Sequence, residues 1–182
     1  MAIRDQLLSV LKGREARRIS FSLTASNGIT ISVDTSSFQR VSDAIENNSV
    51  SIVEGGVAAG WAQYDSGNNT FSVGPGQHWS RAFNALLVHE AVHASFDLSR
   101  SSLPWLDNET AAYIAQGYYL RNSGFSRNRL NTTGQPYLGL MIVDSIISGG
   151  SPDQFWISQL HGSLLSSRQY HSYIRTDFTG DG

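Results

Sequence analysis

The 182-residue chain contains no cysteine. That excludes disulfides and any zinc site built on thiolate. Charge is scarce as well, with 13 Lys and Arg against 15 Asp and Glu and a formal net charge of −2. A dedicated nucleic-acid binder would show a basic stripe, so no nucleic-acid partner is expected. The one basic cluster, Lys12, Arg14, Arg17 and Arg18, reads as the solvated end of a first helix. No uncharged apolar run is long enough to span a bilayer, which argues against membrane insertion. Residues 1–11, MAIRDQLLSVL, carry Asp5 and lack the apolar stretch of a secretory signal. The expectation is a soluble protein, either cytoplasmic or exported by a signal-independent route. Ser, Thr, Asn and Gly fill the space left by the missing charges, so much of the surface should be neutral and polar.

The hydrophobic pattern changes period along the chain. A weak helical pattern covers residues 2–12. From Ile19 the period is two: Ile19, Phe21 and Leu23, then Ile29, Ile31 and Val33, alternate with small polar residues around Ser26-Asn27-Gly28. Asn-Gly between alternating runs predicts a β-hairpin over 18–34. A short helix follows at 37–47, and short strands at 50–53, 57–64 and 70–73. The sequence Gly74-Pro75-Gly76 stops the last of these. Ser80 is placed to cap a long helix reaching Leu98. A loop at 99–106, a helix from Asp107 or Asn108 to Asn122, an exposed loop at 123–135, and helices at 136–147 and 152–166 complete the pattern. Ser151 and Pro152 suit the start of the last helix, and the tail DFTGDG is expected to be loose. Strands first and helices afterwards predict a single α+β domain over 1–182. Residues 1–49 would supply a helix, a hairpin and a short helix, residues 50–122 a catalytic core, and residues 123–182 a mostly helical part. A small twisted, antiparallel or mixed sheet would pack on the helix that ends at Leu98.

That helix contains LLVHEAVHASFDL, residues 86–98, which holds two of the chain's five histidines. Positions i and i+4 lie one above the other on a helix, so His89 and His93 project side by side and can bind one metal ion. Glu90 is one step round from His89, beside the ion rather than on it. From there its carboxylate can take a proton from activated water. Zinc suits imidazole and carboxylate donors, and a catalytic zinc keeps three protein ligands plus water. Two core histidines with bonded nitrogens are the bland alternative. An apolar helix face is a costly place for polar rings without a partner, and a metal supplies one.

A third ligand is needed. The candidates are Glu109, Asp107, Asp97, His78, His161 and His171. Glu109 is the best placed, because it opens the next predicted helix in LDNETAAYIAQGYY and that helix can fold back on the first. Tyr113 stands four residues after Glu109 on the same face and can donate to the oxyanion formed when water attacks a carbonyl. Tyr118, Tyr119, Tyr137 and Tyr170 compete for that role, and so do His161 and His171.

HEAVH followed by NETAAY resembles the gluzincin zinc metallopeptidases, and most closely their small bacterial minimal-domain members, including peptidase-like domains found among toxins and effectors. The resemblance spans about residues 57–122. It implies a zincin-like fold, zinc on His89, His93 and Glu109, Glu90 as general base and acid, and hydrolysis of peptide bonds. There are departures from the pattern. The interval from His93 to Glu109 is shorter than in the large gluzincins. Some of those carry an Asp four residues after the Glu to hold a zinc-bound histidine, where this chain has Tyr113. Asp97, one turn after His93, is a candidate for that supporting role. Peptide deformylase pairs the same motif with a cysteine ligand and is disfavoured here.

Residues 60–74, GWAQYDSGNNTFSVG, read as a hairpin leading into the motif helix. An edge strand there would let a peptide or protein substrate add as a further strand. Trp61, Trp79 and Trp105 cluster around the motif in sequence, as pocket lining or as core. Two other readings compete with an endopeptidase. One is a non-catalytic zinc-containing binding module, whose site would be closed by a fourth protein ligand. The other is an amidase acting on a cell-wall or other non-protein amide.

Overall fold

The computed structural model describes residues 2–76, 79–170 and 176–182. Helices α1 (Ile3–Leu11) and α2 (Arg14–Arg17) lead into strands β1 (Phe21–Thr24) and β2 (Thr30–Val33), followed by α3 (Thr35–Glu46), β3 (Ser51–Glu54), β4 (Ala62–Asp65) and β5 (Thr70–Val73). Helix α4 (Arg81–Leu98), β6 (Ser102–Pro104), α5 (Trp105–Asn122), α6 (Gln135–Gly149), α7 (Gln154–Ser166) and β7 (Asp177–Thr179) complete the order. Among the described residues the architecture is α+β with three small sheets. The hairpin predicted over 18–34 is β1–β2, with Phe21 opposite Val33 and Thr24 opposite Thr30. The second sheet is mixed, in the order β3-β5-β4, with β3 parallel and β4 antiparallel to β5. Strand β4 is therefore an edge. Its side chains alternate as the pleat requires, Ala62 and Tyr64 buried and Gln63 and Asp65 exposed.

Helix α4 has no Gly or Pro to break it, and the Ser80 hydroxyl accepts from the Phe83 N–H at 3.1 Å to cap its first turn. It is buried nearly all round, with α1, α3, α5 and β4 packed against it. A helix in that position cannot be amphipathic, and its polar residues His89, Glu90, Ser95 and Asp97 are buried along with the apolar ones. Helix α5 is buried almost as completely, between α4 and α6.

Three local expectations are corrected. The 99–106 segment holds β6, which pairs with β7, so the DFTGDG tail is a strand rather than a loose end. The reason lies beyond local pattern: Gly180 passes directly over the backbone of Phe96 and Asp97, and the Asp181 N–H donates to the Asp97 carboxylate at 3.0 Å. Helix α5 starts at Trp105, immediately after Pro104 and before the Asp107 or Asn108 cap that the sequence suggested. The cap of α7 is Asp153, whose side chain accepts from the Phe155 N–H, and not Ser151. No helix among the described residues is long and apolar enough to cross a membrane.

Helices α5 and α6 touch backbone to backbone. A Cβ added at Gly117 would lie 2.6 Å from the Gly139 carbonyl carbon, and one at Gly139 would strike the Tyr113 carbonyl. Gly149, at the end of α6, has open space instead. Gly139→Ala should therefore destabilise the fold by about 1–3 kcal/mol or more. Gly149→Ala should be neutral or stabilising by up to about 1 kcal/mol. Urea midpoints of the two variants check this, and equal shifts of the same sign would contradict the close crossing.

Candidate metal centre

Helix α4 carries His89, Glu90 and His93, and α5 brings Asn108 and Glu109 up to them. His89, Glu90, Asn108 and Glu109 are all buried. The Nε2 atoms of His89 and His93 lie 3.2 Å apart. His89 Nε2 also lies 3.5 Å from Glu109 Oε2, and His93 Nε2 lies 3.5 Å from Glu109 Oε1. Two metal–ligand bonds of about 2.0–2.1 Å meeting at a tetrahedral angle place the ligand atoms about 3.3–3.4 Å from one another. The three donors are thus spaced for a single ion of that size. Their chemistry fits as well. Asn108 Oδ1, which only accepts, sits 2.9 Å from His93 Nδ1. The Nδ1–H donates to it, and the Nε2 lone pair is left facing the other donors. Glu109 Oε2 is buried without a hydrogen-bond partner, a costly state that a cation relieves. His89, His93 and Glu109 form a group that can hold a metal ion.

Glu90 stands beside this group. Its Oε1 is 4.0 Å from His89 Nε2, and its Oε2 accepts from the Tyr64 backbone N–H of β4 at 2.8 Å. Burial pushes the Glu90 carboxyl up to about 7, and neighbouring Glu109 adds to the rise against the opposing pull of His93 and the Tyr64 N–H. Burial also acts to raise Glu109, but His93 and His89, with the Tyr170 hydroxyl, outweigh it and hold that carboxyl below its ordinary value. Two carboxylates within one pocket are thereby driven apart in acidity, a pattern typical of acid–base sites.

No protein-family model, curated protein or solved structure matches this chain.

The other candidates fall in different places. Asp97 does not hold a histidine. It is fully buried and accepts from the Tyr64 hydroxyl at 2.7 Å and the Asp181 N–H at 3.0 Å. Asn108 takes the supporting role instead. Asp107 accepts from the backbone and hydroxyl of Ser26, and His161 bonds Thr110 Oγ1 at 3.0 Å. His78 and His171 lie outside the described residues. Tyr113 sets its ring edge-on to His89 at 4.4 Å, and its hydroxyl pairs with that of Tyr170 at 2.7 Å. Of the two tyrosines it is Tyr170 that lines the cleft over the site. That cleft, about 520 Å³ in volume, is also bordered by β4, Trp61, Trp105 and Phe178.

Sequence reasoning did not find the Tyr64 N–H or the Asn108 amide as partners of the site. The first is a backbone group and leaves no residue signature. The second had one, since Asn108 directly precedes Glu109 in the stretch that carries the family resemblance.

Two outcomes follow. Asn108→Ala should weaken zinc binding roughly 10- to 100-fold, read by competition with a chromogenic chelator; unchanged affinity would remove Asn108 from the site. In chelator-treated protein, Glu90→Gln should raise Tm at pH 8, with the gain fading toward pH 4.5. The folded-state pKa of Glu90 is raised from 4.5 to about 7, so the native state holds the extra proton and loses stability as pH rises through that window. A gain that persisted at pH 4.5, or none at pH 8, would contradict the buried carboxyl.

Proposed function

We propose that this protein is a zinc-dependent hydrolase of the gluzincin type with a zincin-like core, acting as an endopeptidase. The observation that carries this reading is the meeting of three largely buried donors from two helices with a fourth group, Glu90, poised 4.0 Å from one of them. His89, His93 and Glu109 would hold the ion. When bound, zinc would lower the pKa of water to about 7 and polarise the carbonyl under attack. Glu90 takes the proton from the attacking water and returns it to the leaving amine. The Tyr64 N–H fixes Oε2 and leaves Oε1, the oxygen nearer His89, for that exchange. A group titrating near neutrality gives and takes a proton at least cost at working pH.

The Tyr170 hydroxyl, in the cleft, is the donor for the developing oxyanion, and Tyr113 orients it from behind. A peptide would lie along β4. Tyr64 turns its N–H away from β5 and toward the site, so in an antiparallel pair Ala62 presents its own N–H and C=O on that same free side. Backbone pairing there would carry the scissile bond past Glu90. The alternative of a binding module with a closed, four-ligand site finds no fourth donor among the described residues, where the group contains three.

Glu90→Gln should lower kcat by about 10²- to 10⁴-fold on a quenched fluorescent peptide pool while zinc content stays at the wild-type value. Retention of most activity would end the mechanism. Tyr170→Phe should lower kcat about 10- to 100-fold with little change in KM, and Tyr113→Phe should cost less. The reverse ranking would move the donor role to Tyr113.

A further inference from the structure

We infer that the cleft selects a bulky apolar or aromatic substrate side chain, seated on Trp61. This inference rests on the hydrolase reading above. Trp61 is 51% exposed and is not among the described residues that pack on the hydrophobic core, although a tryptophan is highly buried on average. Its placement is nonetheless fixed. The Trp61 N–H donates to the Ala58 carbonyl at 3.0 Å, and its own carbonyl accepts from the Gly74 N–H at 2.9 Å. The turn that carries it packs against the end of β5 so closely that a Cβ at Gly74 would lie 2.6 Å from the Ala58 carbonyl carbon. The backbone that carries the indole is therefore a rigid platform immediately before β4, the strand whose Tyr64 N–H holds Glu90. A tryptophan on such a backbone has two χ angles to lose when a ligand covers it.

Val57 and Ala58 extend the same wall, and Trp105 and Phe178 belong to the same cleft. Outside the metal group and Glu90, the charged side chain there is Asp65, on the exposed face of β4. Apolar walls reward buried hydrocarbon, and Asp65 repels an acidic side chain. A peptide paired along β4 would bring one of its side chains over Trp61, so the preference would be read at a single position near the cleaved bond.

Three hydroxamates that differ only in their side chain, benzyl, methyl and carboxymethyl, test this by calorimetric titration into the zinc-loaded full chain. The expected result is benzyl binding more than tenfold tighter than methyl, carboxymethyl the weakest, and Trp61→Ala removing the benzyl advantage while methyl affinity holds. Trp61→Phe should restore much of that advantage. Equal affinities for benzyl and methyl, or a benzyl advantage that survives Trp61→Ala, would overturn the inference and leave the metal reading intact. Failure of all three probes to bind would reject the hydrolase reading and this inference with it.

Discussion

The convergence of two imidazole nitrogens and one carboxylate on a single point is the constraint on which the rest of this structure depends. Groups with facing lone pairs repel one another, and burial denies them water. Left alone they would cost stability in the middle of the two most buried helices of the protein. The fold accepts that cost where α4 and α5 meet, and most of the residues around that place are apolar. The cost is understandable if a cation of the right size offsets it. The observed spacings of 3.2 and 3.5 Å are those such a cation would impose.

The supports are economical in chain length. Helix α5 delivers a candidate ligand, Glu109, and on the preceding residue the amide that orients a candidate ligand on the other helix, His93. Strand β4 fixes Glu90 through the Tyr64 N–H, while the same residue's hydroxyl reaches Asp97 at the far end of α4. Asp97 in turn receives the Asp181 N–H of the C-terminal segment. The segment so anchored contributes Phe178 to the cleft, and Tyr170 lies a few residues upstream. Sheet edge, motif helix and tail are thereby tied through one buried carboxylate. Glu90 and Glu109 face one pocket from neighbouring helices, yet neighbouring histidines hold Glu109 low and burial pushes Glu90 up.

Elements whose cause is local were legible in the sequence. Asn-Gly between alternating runs marked the first hairpin, Ser80 marked the start of α4, and the His89 and His93 spacing with Glu90 between them marked a helix face that can hold a metal ion. Glu109 was accessible as an acid at the head of the next helix, in the stretch that carries the family resemblance. What the sequence hid depends on tertiary contact. Tail residues 177–179 have no pattern of their own and become a strand because β6 offers an edge and Gly180 permits close passage over α4. Asp97 looked like a support for His93 from its helical position, but Tyr64 from another element claims it. Tyr170 stood among several tyrosines with nothing to rank it until its hydroxyl was found beside that of Tyr113.

The most direct measurement is X-ray absorption at the zinc edge on the full chain after equilibration with zinc and removal of excess. The account predicts one ion per chain, with two imidazoles, one carboxylate and a remaining light-atom ligand from solvent. A chain that keeps no zinc, or a shell with fewer than two imidazoles, would contradict it.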